Sequence, residues 1–134
     1  MKIYLLATLL IFIGRIAYAE PIYLDCSIIL DAETKRFSVK LDEVTNKITH
    51  TSEDGGAFNT DGFFTADEIS YQQIQIVSGL KIIIAYTISR INLSVQRKVM
   101  AGSIEFPNKI PMKLLGDIST GTCDIVTVDK KRKI

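Results

Sequence analysis

The chain contains two cysteines, Cys26 and Cys123, and no others. Two cysteines can form a disulfide, remain as free thiols or bind a metal, and the redox state of the compartment decides among these outcomes. The first residues of the chain have the pattern of an export signal, so the protein is expected to meet an oxidising environment. We therefore predict a Cys26–Cys123 disulfide, with free thiols or a two-ligand metal site as the alternatives.

A second stretch with possible chemistry is residues 57–68, which read AFNTDGFFTADE. Asn59 and Asp61 fall at positions 3 and 5 of a calcium-binding loop of the EF-hand type. Gly62 and Glu68 fall at positions 6 and 12, where such a loop needs a sharp turn and a final carboxylate. Position 1 is Ala57 instead of an acidic ligand. The competing interpretation is therefore a glycine- and aspartate-rich loop between strands.

His50 is the single histidine, so acid–base catalysis near neutral pH would depend on one imidazole without an evident partner. It lies on a predicted strand, where a half-exposed cross-strand position is expected. The sequence contains no nucleophile elbow, no glycine-rich phosphate loop and no cluster of histidine and cysteine ligands. We predict no catalytic residues, no cofactor and no enzymatic activity. The alternative, an unrecognised active site, would require a pocket that contains His50 or paired carboxylates.

Alternating apolar and polar residues predict β-strands along most of the chain. Residues 37–41 alternate in this way, and residues 48–51 can return as their hairpin partner after a turn at Asn46-Lys47. Residues 80–89 have β-branched side chains in both phases, which favours a strand that is central or covered on both faces. In the strand that follows, Leu93, Val95 and Arg97 share one phase.

Two segments are less regular. Ile69 and Tyr71, then Ile74 and Ile76, suit two phases of one strand joined by a bulge. The alternative is a helix that begins at Thr65, because residues 65–68 have the form of a capping box. Residues 101–116 contain two prolines and predict an irregular connection or an edge strand.

The cysteines restrict how these strands are arranged. Cys26 lies on a strand predicted over residues 22–30, and Cys123 lies on one predicted over residues 122–128. A disulfide requires Cα atoms about 4.4–6.8 Å apart, so the first and last strands must approach each other. The fold class predicted is all-β, a small antiparallel β-barrel or β-sandwich of about 7–8 strands with its terminal strands joined by the disulfide.

Residues 1–19 are predicted to be a cleaved signal peptide. Lys2 precedes an apolar run over residues 3–13, and Ala17-Tyr18-Ala19 supplies the small residues that signal peptidase requires. A permanent anchor is the alternative, but a span needs about 20 apolar residues and Arg15 interrupts this run. The protein is expected to be exported, periplasmic or secreted, with no integral membrane span after cleavage.

The remaining chain is predicted to form a single all-β domain over residues 20–129, followed by a basic tail over residues 130–134. The tail either binds an anionic surface or is a solvated terminus. The full chain has 16 basic and 15 acidic side chains. No nucleic-acid partner is expected.

Several short motifs follow one another along the chain: Tyr23-x-x-Cys26, Phe-x-Val-x-Leu-Asp at 37–42, Ile-Ser-Tyr at 69–71, Tyr-x-Ile-x-Arg at 86–90 and Gly121-x-Cys123. Together with the export signal, their order resembles small two-cysteine exported bacterial β-proteins of unknown function.

Ser78-Gly79 occupies a predicted loop. It gives a more distant similarity to the periplasmic inhibitors of c-type lysozyme, which are small β-barrels with a terminal disulfide that insert a Ser-Gly-bearing loop into the lysozyme cleft. The tyrosine that should follow in that loop and the second family motif are absent here.

The function predicted from these features is that of a non-enzymatic exported binding protein. It is expected to act through a loop or a sheet edge on a stable β scaffold, with a protein or a cell-envelope component as its partner. Two alternatives remain open. One is an inhibitor of a lysozyme-type cell-wall hydrolase, and the other is a calcium-binding module that uses residues 57–68.

Overall fold

A computed structural model describes residues 20–106 and 108–127 of the chain. These residues form nine β-strands and no helix. The predicted signal peptide and basic tail lie outside the described residues. The all-β prediction is confirmed, but the strand count is nine because residues 57–64 contribute two short strands. The strands are β1 (Ile22–Leu30), β2 (Glu33–Asp42), β3 (Lys47–Ser52), β4 (Ala57–Asp61), β5 (Phe63–Phe64), β6 (Glu68–Val77), β7 (Leu80–Ser89), β8 (Ser94–Ser103) and β9 (Lys113–Val126).

All nine strands belong to one antiparallel sheet, in the order β4-β3-β2-β1-β9-β8-β7-β6-β5. The two edge strands, β4 and β5, are consecutive in the chain, so a single extended segment pairs with β3 by its first half and with β6 by its second half. The sheet thereby curls into a nearly closed barrel. The hydroxyl of Thr60 on β4 donates to the carbonyl oxygen of Gln72 on β6 at 3.1 Å, across the place where the barrel closes.

Gly62 is the residue at which this segment passes from one edge to the other. Its N–H donates to the carbonyl oxygen of Asn46 at 2.8 Å. An added Cβ would lie 2.6 Å from side-chain carbons of both Ile48 and Phe64, closer than real Cβ contacts allow. The glycine is therefore required by crowding inside the barrel.

The predicted disulfide between Cys26 and Cys123 is present. The two residues lie directly opposite each other on β1 and β9, with their Cα atoms 4.0 Å apart. Because β1 and β9 are neighbours in the middle of the sheet, the bond joins the first and last strands within the core. The prediction that these two strands meet is confirmed.

Alternate residues of the strands point into the barrel, as the period of a half-buried strand requires. In β2 these residues are Phe37, Val39 and Leu41, as the sequence predicts. The buried apolar core consists of Leu24, Cys26, Ile28, Phe37, Val39, Leu41, Ile48, Ile69, Tyr71, Tyr86, Ile88, Val95 and Cys123.

Four strands continue past the end of the barrel. β1 pairs with β9 only over residues 121–126 of β9, whereas β8 pairs with β9 back to Lys113. The continuing halves of β6, β7, β8 and β9 form a four-stranded sheet over residues 73–77, 80–85, 98–103 and 113–118. We call it the sheet extension.

The start of β9 differs from the prediction. The strand begins at Lys113, so the segment 101–116 contains the end of β8, a connection and the beginning of β9. This part of β9 pairs with β8, and two additional residues are accommodated between the pairs Arg97–Ser119 and Val99–Leu115. Gly116, at φ 69°, permits the bulge.

β6 also differs from the prediction, because it pairs with β7 in one unbroken register and contains no bulge. Ile69 and Tyr71 point into the barrel, while Ile74 and Ile76 lie on the opposite face and are exposed. The hydrogen bond of a capping box does form, from the N–H of Glu68 to Oγ1 of Thr65 at 3.0 Å, but it precedes a strand instead of a helix. Across the described ranges, no helix is long and apolar enough to cross a membrane.

Candidate functional site

His50 is buried inside the barrel, and the prediction of a half-exposed position is wrong. Strand pairing places His50 opposite Val39 on β2 and Phe58 on β4, both of which face the interior. Its ring is stacked between the rings of Phe37 and Phe58, with centroid distances of 4.5 and 4.9 Å. Only 3% of the residue is exposed.

The hydroxyl of Tyr71 is the hydrogen-bond partner of the buried His50 ring. Nδ1 of His50 lies 2.8 Å from the hydroxyl of Tyr71, whose ring is stacked on that of Tyr86. Burial, with a contribution from the positive charge of Arg97, lowers the pKa of His50 to about 4. Burial also raises the pKa of Tyr71 well above its usual value. At neutral pH both groups are uncharged, and an imidazole of this pKa is a weak base.

The barrel opens at the end from which the sheet extension projects. A cavity of about 480 Å³ lies at this mouth, above His50 and Tyr86. Its rim carries positive charge from Lys35, Arg36 and Arg97 and negative charge from Glu53 and Asp54. The other lining residues are Ile28, Leu30, Phe37 and Ser52.

Arg97 is the cation nearest the floor of this cavity. It lies on the inward face of β8, directly opposite Tyr86 on β7 and Ser119 on β9, and is half-buried. It forms no hydrogen bond or ion pair with the other described residues. By contrast, Lys35 at the rim pairs with Glu33 at 3.1 Å. A guanidinium held in a partly desolvated site without a counter-ion is a ready donor to an anion.

The face of the extension that points away from the barrel axis carries a row of apolar side chains. Ile74, Ile83, Met100 and Leu114 are cross-strand neighbours on four consecutive strands. We call these four residues the outer ladder. Ile74 is 48% exposed and Leu114 is 47% exposed.

Exposed apolar residues are concentrated in and beside the extension. Among the described residues, 17 large apolar side chains are exposed, and eleven of them belong to residues 74–80 and 104–118. So many exposed apolar side chains in one part of the surface are uncommon on a protein that functions alone in water. The eleven are Ile74, Ile76, Val77, Leu80, Ile104, Phe106, Ile110, Met112, Leu114, Leu115 and Ile118.

The opposite face of the extension begins next to Tyr86 and Arg97, which line the cavity. Ile84, Val99 and Leu115 form a cross-strand row on the inward face, one step beyond the row that contains Tyr86 and Arg97. Ile84 packs against the buried core. The mouth of the barrel therefore opens directly onto an apolar surface.

The candidate calcium ligands are not brought together in a loop. Residues 57–61 are an extended strand, and Glu68 begins another. Oδ1 of Asn59 accepts a hydrogen bond from Thr49 at 2.6 Å, and the carboxylate of Asp61 pairs with Lys47. Within residues 20–106 and 108–127, no group of three or more His, Cys, Asp or Glu side chains is placed to hold a metal ion.

Ser78 and Gly79 form the two-residue turn between β6 and β7, at the tip of the extension. Both have positive φ, 51° and 78°, which suits a tight hairpin turn. The carbonyl oxygen of Gly79 accepts a hydrogen bond from Ile104 at 3.0 Å. The predicted loop before Leu80 is thus an exposed hairpin tip.

Neither the extension nor the inward position of Arg97 is among the predictions from the sequence, although the sequence carries a signal of each. The apolar phase of β6 switches from Ile69 and Tyr71 to Ile74 and Ile76 where the strand leaves the barrel. Arg97 shares the apolar phase of Val95, which places a charge on the inward face.

Comparison with known proteins finds no family model, curated protein or solved structure that matches the chain.

Proposed function

We propose that the chain is a non-enzymatic exported binding protein and that a protein partner docks on the outer face of the sheet extension. The observation that carries this proposal is the outer ladder, a row of apolar side chains that spans four strands, exposed at Ile74 and Leu114 and partly exposed at Ile83 and Met100. Full burial of an exposed side chain of this size contributes about 1.5–3 kcal/mol, and Ile74 and Leu114 are each about half-exposed, so each would contribute roughly half of this. A partner that covers the row would therefore gain a substantial part of an ordinary binding free energy.

Charge on the same face indicates the chemistry of the partner. Lys81 and Lys98 lie on the outward face beside the ladder, because they share the phase of Ile83 and Met100 in β7 and β8. An apolar patch flanked by lysines fits an apolar surface bordered by acidic residues. Export of the protein is consistent with the Cys26–Cys123 disulfide, which persists in oxidising compartments.

The test uses the oxidised chain from residue 20 onwards as bait for proteins of the host envelope and medium. The ladder variant is Ile74→Lys with Leu114→Lys. Its matched control is Val44→Lys with Ile91→Lys, which introduces the same charges at exposed apolar positions in two turns outside the extension. The proposal requires a partner that binds the unmodified protein and the control but not the ladder variant. Equal capture by all three proteins would overturn it, as would a stable homodimer that buries the ladder.

Inhibition of a lysozyme-type hydrolase is the second candidate, and the position of Ser78-Gly79 favours it. A two-residue turn at the tip of a projecting hairpin is a shape that can enter an enzyme cleft. Titration of the protein into a lysozyme lysis assay tests this candidate, with Ser78→Trp to block entry and Asn92→Trp in the β7–β8 turn as the control. Slower lysis that Ser78→Trp abolishes and Asn92→Trp preserves would support it. No slowing at a large molar excess would exclude it.

A further inference from the structure

The cavity at the barrel mouth supports an inference that is independent of the outer ladder. We infer that this cavity binds an aliphatic monocarboxylate, with the carboxylate on Arg97 and the hydrocarbon chain against the inward face of the extension. Two properties of the site carry the inference, a half-buried cation that forms no hydrogen bond or ion pair with the described residues and an apolar surface that begins beside it.

Arg97 is the reason to expect a carboxylate headgroup on the ligand. A guanidinium presents parallel N–H groups that match the two oxygens of a carboxylate, and this pairing strengthens where water is partly excluded. His50 and Tyr86 form the floor beside Arg97. Because Nδ1 of His50 is engaged with Tyr71, Nε2 is the ring nitrogen without a hydrogen bond to the described residues.

The acidic residues at the rim of the cavity are the reason to expect only one negative charge on the ligand. Glu53 and Asp54 lie across the mouth from Arg97 and repel a second negative charge on the ligand. Lys35 is already paired with Glu33. A ligand with one anionic group satisfies Arg97 without placing further charge beside these carboxylates.

The apolar row next to Arg97 is the reason to expect a hydrocarbon chain on the ligand. Ile84, Val99 and Leu115 form a continuous apolar strip across three strands, and Leu115 is 51% exposed. Ile28 and Leu30 line the facing wall. The cavity volume of about 480 Å³ lies within the range of roughly 300–1,000 Å³ for small-molecule sites, so the chain of a medium-length acid fits.

Calorimetric titration of the oxidised chain from residue 20 onwards with octanoate, acetate and 1-octanol tests the inference. It separates the contribution of the ligand's charge to the affinity from that of its hydrocarbon chain. Acetate has the charge without the chain, and 1-octanol has the chain without the charge. We expect octanoate to bind at least tenfold more tightly than either. From butyrate to octanoate the affinity should rise by up to about fourfold per methylene, because each buried methylene contributes about 0.8 kcal/mol. Equal binding of octanoate and 1-octanol, or no dependence on chain length, would overturn the inference.

Substitutions locate the site. Arg97→Gln should weaken octanoate roughly 10- to 100-fold, as expected for a lost charge-assisted hydrogen bond, while Arg97→Lys should weaken it less. Lys98→Gln is the matched control, because Lys98 is the adjacent residue on the outward face, and its affinity should stay within about twofold. Unchanged octanoate affinity in a folded Arg97→Gln protein would contradict the inference. If the Arg97→Gln protein does not fold, the affinities of the unmodified protein for octanoate, acetate and 1-octanol still test the inference. Ladder variants should bind octanoate normally, so this inference and the proposed partner surface can fail separately.

Discussion

Nδ1 of His50 and the hydroxyl of Tyr71 lie 2.8 Å apart inside the barrel. These residues come from β3 and β6, which are far apart in the sheet order and face each other across the core. The hydrogen bond satisfies the buried imidazole while it remains neutral. Protonation of His50 would place a charge between two phenylalanine rings, in the field of Arg97.

Stability should consequently fall in mild acid. The unfolded chain takes up a proton at His50 near pH 6.5, whereas the folded protein does so only near pH 4. The unfolded state therefore binds more protons between these values, so the stability is present above pH 6.5 and is lost as the pH falls toward 4. The difference corresponds to about 3 kcal/mol. Urea unfolding at pH 7 and pH 4 measures this loss of stability. The His50→Phe protein serves as the control, because any loss that it shows comes from carboxylates that titrate in the same range. An equal loss of stability in both proteins would contradict this account.

Removal of the disulfide should be costly because the bond closes a long loop. Cys26 and Cys123 are separated by 97 residues, for which the chain-entropy model gives a stabilisation of about 4–5 kcal/mol. The Cys26→Ala, Cys123→Ala protein should show this decrease in the free energy of unfolding. A reducing agent should lower the melting temperature of the unmodified protein only. A loss below 1 kcal/mol would show that the packing of β1 against β9 suffices.

Gly121 should tolerate no side chain. A Cβ at this position would lie 1.8 Å from the carbonyl oxygen of Ser27 on β1, so β1 and β9 must separate to accommodate it. We expect Gly121→Ala to destabilise the protein by about 3 kcal/mol or more. Gly56→Ala is the control, since the nearest atom there is the mobile carboxylate of Asp54 at 3.2 Å. Chemical denaturation of the two variants gives the comparison, and similar midpoints would refute the crowding argument.

Calcium should not stabilise the protein through residues 57–68. Asp61 and Asn59 are engaged with Lys47 and Thr49 on β3. Their carboxylate and amide oxygens would have to leave these partners to form a calcium site. We expect millimolar calcium to leave the melting temperatures of the unmodified protein and of Asp61→Ala unchanged. A rise that occurs only in the unmodified protein would restore the calcium hypothesis.

The strands of the barrel could be predicted because their two faces have different surroundings. Residues 22–30 and 80–89 match β1 and β7 in full, and the alternation of Phe37, Val39 and Leu41 identifies the inward face of β2. The cysteine pair correctly predicts that the terminal strands meet. Each of these features is local or depends on one covalent bond.

The candidate site could not be predicted because it depends on register across the sheet. The outer ladder combines residues from four strands, and a single-residue shift in any pairing would move one of them to the other face. Residues 57–64 have the spacing of a calcium loop, but the closing of the barrel requires them to be extended. The burial of His50 likewise follows from the closing of the barrel, and the one sign of it in the sequence is that His50 shares the strand phase of Ile48.

The affinity of the captured and purified partner for three forms of this protein shows whether the sheet extension is the binding surface. The forms are the unmodified protein, the ladder variant Ile74→Lys with Leu114→Lys, and the control variant Val44→Lys with Ile91→Lys. We predict that the ladder variant binds at least tenfold more weakly, since it loses two half-exposed side chains whose burial contributes about 0.75 kcal/mol or more each. The control should bind within about twofold of the unmodified protein. Equal affinities for the ladder and control variants would contradict the assignment of the sheet extension as the binding surface.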